Sequence, residues 1–90
     1  MIDLVKVVEV RAIGPRTLHV RFSDGSAGER DTTDILAEDG PMVTPLRDPG
    51  FFGRVFVELG TITWPNGFDL DSIALHAEMK ASGALGRPAA

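Results

Sequence analysis

Apolar and polar positions alternate strictly along Thr17-Leu18-His19-Val20-Arg21-Phe22, with Leu18, Val20 and Phe22 on one side and His19 and Arg21 on the other. A period of two marks a strand with one buried face, so this segment is predicted to be a half-buried strand. The run before it, Leu4 to Ile13, is rich in β-branched residues, and Lys6, Glu9 and Arg11 interrupt it without helical spacing. It predicts a first strand, ended by Gly14-Pro15-Arg16. Ser23-Asp24-Gly25-Ser26 supplies an Asp-Gly pair suited to a hairpin turn, so residues 27–31 are expected to return as a third, more polar strand. Its charged residues mark it as an edge.

From Thr32 the pattern changes. Thr33 or Asp34 can cap the short run Ile35-Leu36-Ala37-Glu38, which Gly40-Pro41 ends after about one turn. Asp48 before Pro49 is a helix-start pair, because the N–H that proline lacks has no partner in a first helical turn. Phe51 and Phe52 are expected to pin that short helix onto the sheet. Residues 55–58 and 61–64 flank Leu59-Gly60 and predict a second hairpin. Asp71 or Ser72 caps a helix to about Ser82, with Gly83 as its stop. Ala84 to Ala90 is expected to be a flexible tail. The predicted fold class is α+β: a mainly antiparallel sheet of about five strands with one main C-terminal helix and short helical turns, forming one domain over residues 1–83.

Composition narrows the functions. Ninety residues, 43% of them apolar, suit one modest core, and ten glycines with six prolines fit frequent turns. The chain has no cysteine, which excludes a disulfide framework, a thiolate zinc site and a thiol nucleophile. A net charge of −4 argues against a dedicated phosphate-backbone binder and permits a basic protein partner. The first residues lack the features of a signal peptide, and no stretch approaches the roughly 20 apolar residues of a membrane span. A cytoplasmic protein without membrane attachment is the expectation, with homo-oligomer formation left open.

The richest stretch for a site is Thr63-Trp-Pro-Asn-Gly-Phe-Asp-Leu-Asp71. Pro65, Asn66 and Gly67 suit a tight turn. Trp64 and Phe68 offer apolar area while Asn66, Asp69 and Asp71 offer hydrogen-bond acceptors. The partner-binding residues are therefore Trp64, Asn66, Phe68 and Asp69, joined by Arg47, whose guanidinium suits a carboxylate. The competing reading of the same stretch is only a turn followed by a helix cap.

Asp69 and Asp71 are too few for an oxygen cage around a metal, and Asp71 is better used as a cap, so no metal or cofactor is expected. His19 and His76 lack an orienting partner and a nucleophile and are read as solvated. The serines sit in no nucleophile elbow, and no glycine-rich phosphate loop carries a Walker-type lysine. No catalytic residue is assigned and no enzyme activity is expected; a small metal-dependent hydrolase is the weakest reading. Arg11, Arg16, His19, Arg21 and Arg30 support an alternative, a nucleic-acid-binding or regulatory module using a local arginine patch.

Three stretches in order, Phe-Ser-Asp-Gly-Ser at residues 22–26, Pro-Leu-Arg-Asp-Pro-Gly-Phe-Phe-Gly-Arg-Val-Phe-Val at 45–57 and Ile-Thr-Trp-Pro-Asn-Gly-Phe-Asp-Leu-Asp at 62–71, resemble the small bacterial family catalogued as domain of unknown function 2442. The resemblance covers residues 5 to 76 and implies a compact α+β domain. Many members sit beside a second small protein in toxin–antitoxin-type pairs, which implies binding of another small protein in an antitoxin-like role. Some members carry an appended helix-turn-helix, for which this chain is too short, so operator binding does not carry over. Phe68 stands where the family often has a small residue, which implies a larger apolar surface near Trp64.

Overall fold

The computed structural model of the chain describes residues 4–86. Strands β1 (Val7–Ala12) and β2 (Thr17–Phe22) pair antiparallel, with Val10 opposite Val20 and Ala12 opposite Leu18. The alternation of β2 does what its period requires: Leu18, Val20 and Phe22 are buried, while His19 and Arg21 face outward with Glu9 and Arg11 of β1. A β-bulge between Val7 and Glu9 leaves Val8 exposed. The Asp24-Gly25 turn leads into β3 (Ala27–Asp31), and the Asp24 carboxylate accepts from both the backbone N–H and the hydroxyl of Ser26, fixing the bend.

Short helices follow. At the start of α1 (Thr33–Leu36) the residue in the cap position is Thr32, and neither Thr33 nor Asp34 fills it. The buried Thr32 turns its hydroxyl away from the helix to the Arg16 carbonyl at 2.7 Å, and its N–H donates to the same oxygen, also at 2.7 Å. Asp31 takes over the capping, accepting from the Thr33 N–H at 2.8 Å. A 3-10 turn (Thr44–Arg47) leads to α2 (Pro49–Phe52), where Asp48 accepts from the Phe51 N–H as the Asp-Pro pair predicts.

The expected single sheet is divided. Strands β4 (Phe56–Glu58), β5 (Thr61–Thr63) and β6 (Asp69–Leu70) form a separate three-stranded antiparallel sheet. Leu59 and Gly60, both at positive φ (51° and 78°), make the β4–β5 turn with the handedness that strand twist favours. The Gly60 carbonyl accepts from the Val7 N–H at 2.9 Å, seating the hairpin tip against the bulged start of β1. A Cβ at position 60 would come within 2.9 Å of the Lys6 Cβ, so the seat needs glycine for space as well as for φ.

Helix α3 (Ser72–Ala81) begins at Asp71, whose carboxylate accepts from the Ala74 N–H. It ends in a Schellman motif: Gly83 has φ 78°, its N–H donates to the Lys80 carbonyl, and the Ala84 N–H donates to the Met79 carbonyl. That reversal sends the chain back along β3 as β7 (Leu85–Gly86), completing a four-stranded sheet of order β1-β2-β3-β7. Two expectations are corrected here. β3 is an interior strand, and the first residues of the expected tail are paired to it. The approach is possible because Gly28 has no side chain; a Cβ there would lie 2.0 Å from the Ala84 carbonyl oxygen. Residues 87–90 of that tail, and 1–3 at the other end, lie outside the described residues.

The inner faces of both sheets meet α2, α3 and the 3-10 turn in one core that includes Phe22, Leu46, Phe52, Ile62, Trp64, Leu75 and Met79. Phe52 is buried as predicted, and Phe51 is half-buried against it.

Candidate functional site

The Trp64 to Asp71 stretch resolves into a three-residue hairpin loop between β5 and β6. The Gly67 N–H donates to the Trp64 carbonyl and the Trp64 N–H to the Phe68 carbonyl, both at 2.9 Å, with Pro65 and Asn66 at the corner and Gly67 at φ 91°. Trp64 itself is core, 1% exposed, and cannot anchor a partner in this fold. Its indole N–H donates to the Phe52 carbonyl at 2.9 Å, and its ring lies 5.7 Å from that of Phe52 and 5.8 Å from that of Phe68. The physical reason is size: burying the largest side chain of the chain outweighs displaying it, provided the indole N–H finds an acceptor.

The other predicted site residues separate. Phe68 is half-buried as a lid over Trp64, so it extends the core and adds little apolar surface. Asn66 spends both ends of its amide internally, donating to the Met42 carbonyl at 2.9 Å and accepting from the Phe68 N–H at 3.2 Å. Arg47 is exposed, but its Nε and an Nη donate to the Leu36 carbonyl (2.7 Å) and the Glu38 carbonyl (2.8 Å), closing the C-terminal end of α1. Asp69 is exposed on β6, and Asp71 caps α3. Trp64, Asn66 and Arg47 therefore spend their hydrogen-bonding groups on the fold, and Phe68 packs on Trp64. Among the described residues no group of three or more His, Cys, Asp or Glu side chains could hold a metal ion.

A groove of about 230 Å³ lies between α1 and α3. Asp34 and Glu38 line it from the α1 side and Asp71 and Glu78 from the α3 side, above apolar walls that include Ile35 and Leu75. Arg30 is the cation in this lining. On β3 it sits opposite Leu18, on the core side of the sheet, and its guanidinium reaches out to grip Asp34 with two hydrogen bonds (2.9 and 3.0 Å) and Glu78 with one (3.1 Å). The bond to Arg30 holds the Asp34 carboxyl below its ordinary range, and the bond to Asp34 raises the guanidinium in turn. One arginine against four carboxylates leaves the groove strongly acidic.

This placement changes the arginine-patch reading. Arg30 faces acids on the opposite side from His19 and Arg21. Arg21 pairs with Glu9 at 3.1 Å, and Glu29 stands across from His19. Acids are thus interleaved through the set. His76 is not solvated either: its side chain is 19% exposed, its Nε2 lies 2.9 Å from an Asp24 carboxylate oxygen, and Phe22 meets its ring edge-on at 4.9 Å. The pair ties α3 to the β2–β3 turn.

Asp24 carries a pH signature. The Ser26 hydroxyl first, the Ser26 N–H next and His76 to a smaller degree lower its carboxyl from 3.8 to about 2. Because the folded chain makes this carboxyl more acidic, the stability it contributes is fully present above 3.8 and is lost as pH falls through about 2. Asp31 and Asp34 are lowered as well, the first mainly by the Thr33 hydroxyl and the second mainly by Arg30, so they act in the same direction. Acid titration of the melting midpoint is expected to fall between those limits, and Asp24→Asn to flatten that fall. An Asp24→Asn chain with an unchanged acid limb would contradict the assignment.

The fold and its surface define a small two-sheet α+β domain with an acidic groove between its first and last helices. The chain belongs to the family described as protein of unknown function (DUF2442), whose model matches residues 7–81. Comparison with curated proteins and with solved structures gave no match. Among the described residues no helix is long and apolar enough to cross a membrane.

Proposed function

We propose that this chain is a non-catalytic protein-interaction module that binds another small, basic protein, as the antitoxin-like member of a toxin–antitoxin-type pair. The observation that carries the reading is the acidic groove between α1 and α3, where Asp34, Glu38, Asp71 and Glu78 surround apolar walls. Carboxylates above apolar carbon suit a Lys or Arg side chain, which lays its methylene stem on the walls and its charge among the acids. The paired arrangement of the genes is what the family resemblance implies.

Glu38→Lys tests this reading. The Glu38 side chain is exposed, and the structural bond at that position is made by its backbone carbonyl, so the fold is expected to survive. Used as baits side by side in extract from the native host, the wild-type chain is expected to retain a small basic protein that Glu38→Lys releases about tenfold more readily. Retention is also expected to weaken with salt as the charges are screened. Equal retention by both baits would count against the groove.

A further inference from the structure

We propose that a second hollow, on the other side of α1, binds a small aliphatic carboxylate. It has a volume of about 270 Å³ and is bordered by Arg16, Thr33, Leu36, Ala37 and Arg47. Arg16 comes from the β1–β2 turn and Arg47 from the 3-10 turn, so elements distant in sequence bring both cations to one concavity. Neither guanidinium forms an ion pair among the described residues, whereas Arg21 and Arg30 of the same acidic chain do.

Both cations stand on fixed bases. Arg47 is held in orientation by its bonds to the Leu36 and Glu38 carbonyls, which occupy Nε and one Nη and leave the other Nη without a protein acceptor among the described residues. The Arg16 backbone is held through its carbonyl by the N–H and hydroxyl of buried Thr32. The preorganised Arg47 guanidinium suits an oxyanion, because little of its side-chain freedom remains to be lost on binding, while Arg16 adds a second cation on a fixed backbone.

Charge and shape select the class of anion. Thr33 cannot serve as the third donor, since its hydroxyl proton goes to Asp31 at 2.6 Å. The Asp31 carboxylate lies within the field of Arg16 and offsets part of the positive charge. What remains suits a single negative charge better than the double charge of phosphate. Leu36 and Ala37 supply an apolar wall for a short carbon stem. The hollow does not depend on the acidic groove: the two lie on opposite sides of α1, and the inference stands or falls separately from the partner reading.

Butyrate, inorganic phosphate and chloride at matched ionic strength are the probes, followed through the backbone amide signals of Thr33 and Ala37. The expected result is a saturable shift with butyrate, with a dissociation constant on the order of 1 mM. Arg16→Gln, which leaves the Arg16 carbonyl bond to Thr32 available, is expected to weaken butyrate at least tenfold without altering the spectrum elsewhere. Asp31→Asn, which keeps a side-chain acceptor for Thr33, is expected to tighten it. Shifts that grow linearly and equally with chloride, phosphate saturating where butyrate does not, or an Arg16→Gln chain that binds butyrate like wild type would each overturn the proposal.

Discussion

Replacing Trp64 by alanine is expected to remove a large share of the stability of the domain. The side chain is 1% exposed, packs on Phe52 and Phe68, and satisfies the Phe52 carbonyl through its indole N–H. Emptying such a site costs roughly 3–5 kcal/mol in lost transfer energy and cavity formation. The Phe52 carbonyl loses its indole donor and is left with the Val55 N–H at 3.3 Å. Native stabilities lie at about 5–15 kcal/mol, so a loss of this size is large enough to move the unfolding midpoint clearly. Urea unfolding followed by circular dichroism measures it. A variant within about 1 kcal/mol of wild type would mean that the indole is not part of the core.

Gly28→Ala is the second large effect, and it is local. A Cβ at this position would meet the Ala84 oxygen at 2.0 Å and its carbonyl carbon at 2.9 Å. These are backbone atoms that cannot rotate away. β3 is held on its other side by full pairing to β2, whereas β7 is paired only through Leu85 and Gly86, so β7 is the strand that yields. Loss of hydrogen-exchange protection over residues 84–86 is expected, together with about 1–3 kcal/mol of destabilisation. Unaltered protection there would contradict the packing of β7 on Gly28.

Features governed by local rules were legible in the sequence. The period of two in β2, the Asp24-Gly25 and Leu59-Gly60 turns, the Asp48-Pro49 helix start, and the Asp71 and Gly83 ends of α3 each follow from neighbouring residues. What could not be read is set by distance along the chain. Trp64 looks like a surface anchor until Phe52, 12 residues earlier, supplies its acceptor. β7 has two residues and no periodicity; it exists because a helix stop aims it at a glycine in β3.

Arg30 shows how a composition argument can mislead where register would have helped. Counted as a charge, it belongs to a basic patch and marks an edge strand. Followed by alternation from Ala27, it falls on the side of Gly28, facing the core, while Glu29 and Asp31 point outward. Asp34, four residues on, was a visible partner, but Glu78 lies 48 residues away. The groove shares that origin: its walls come from α1 and α3, and only the fold brings their carboxylates together.

The most direct measurement of the proposed function is amide chemical-shift mapping of the labelled chain, titrated with the basic protein that the proposal expects it to retain from its host. Binding in the groove predicts shifts concentrated at Asp34, Ile35, Glu38, Ala74 and Glu78, weakening as salt is raised. Shifts confined to the opposite sheet face around His19 and Arg21, or an affinity indifferent to both salt and Glu38→Lys, would contradict it.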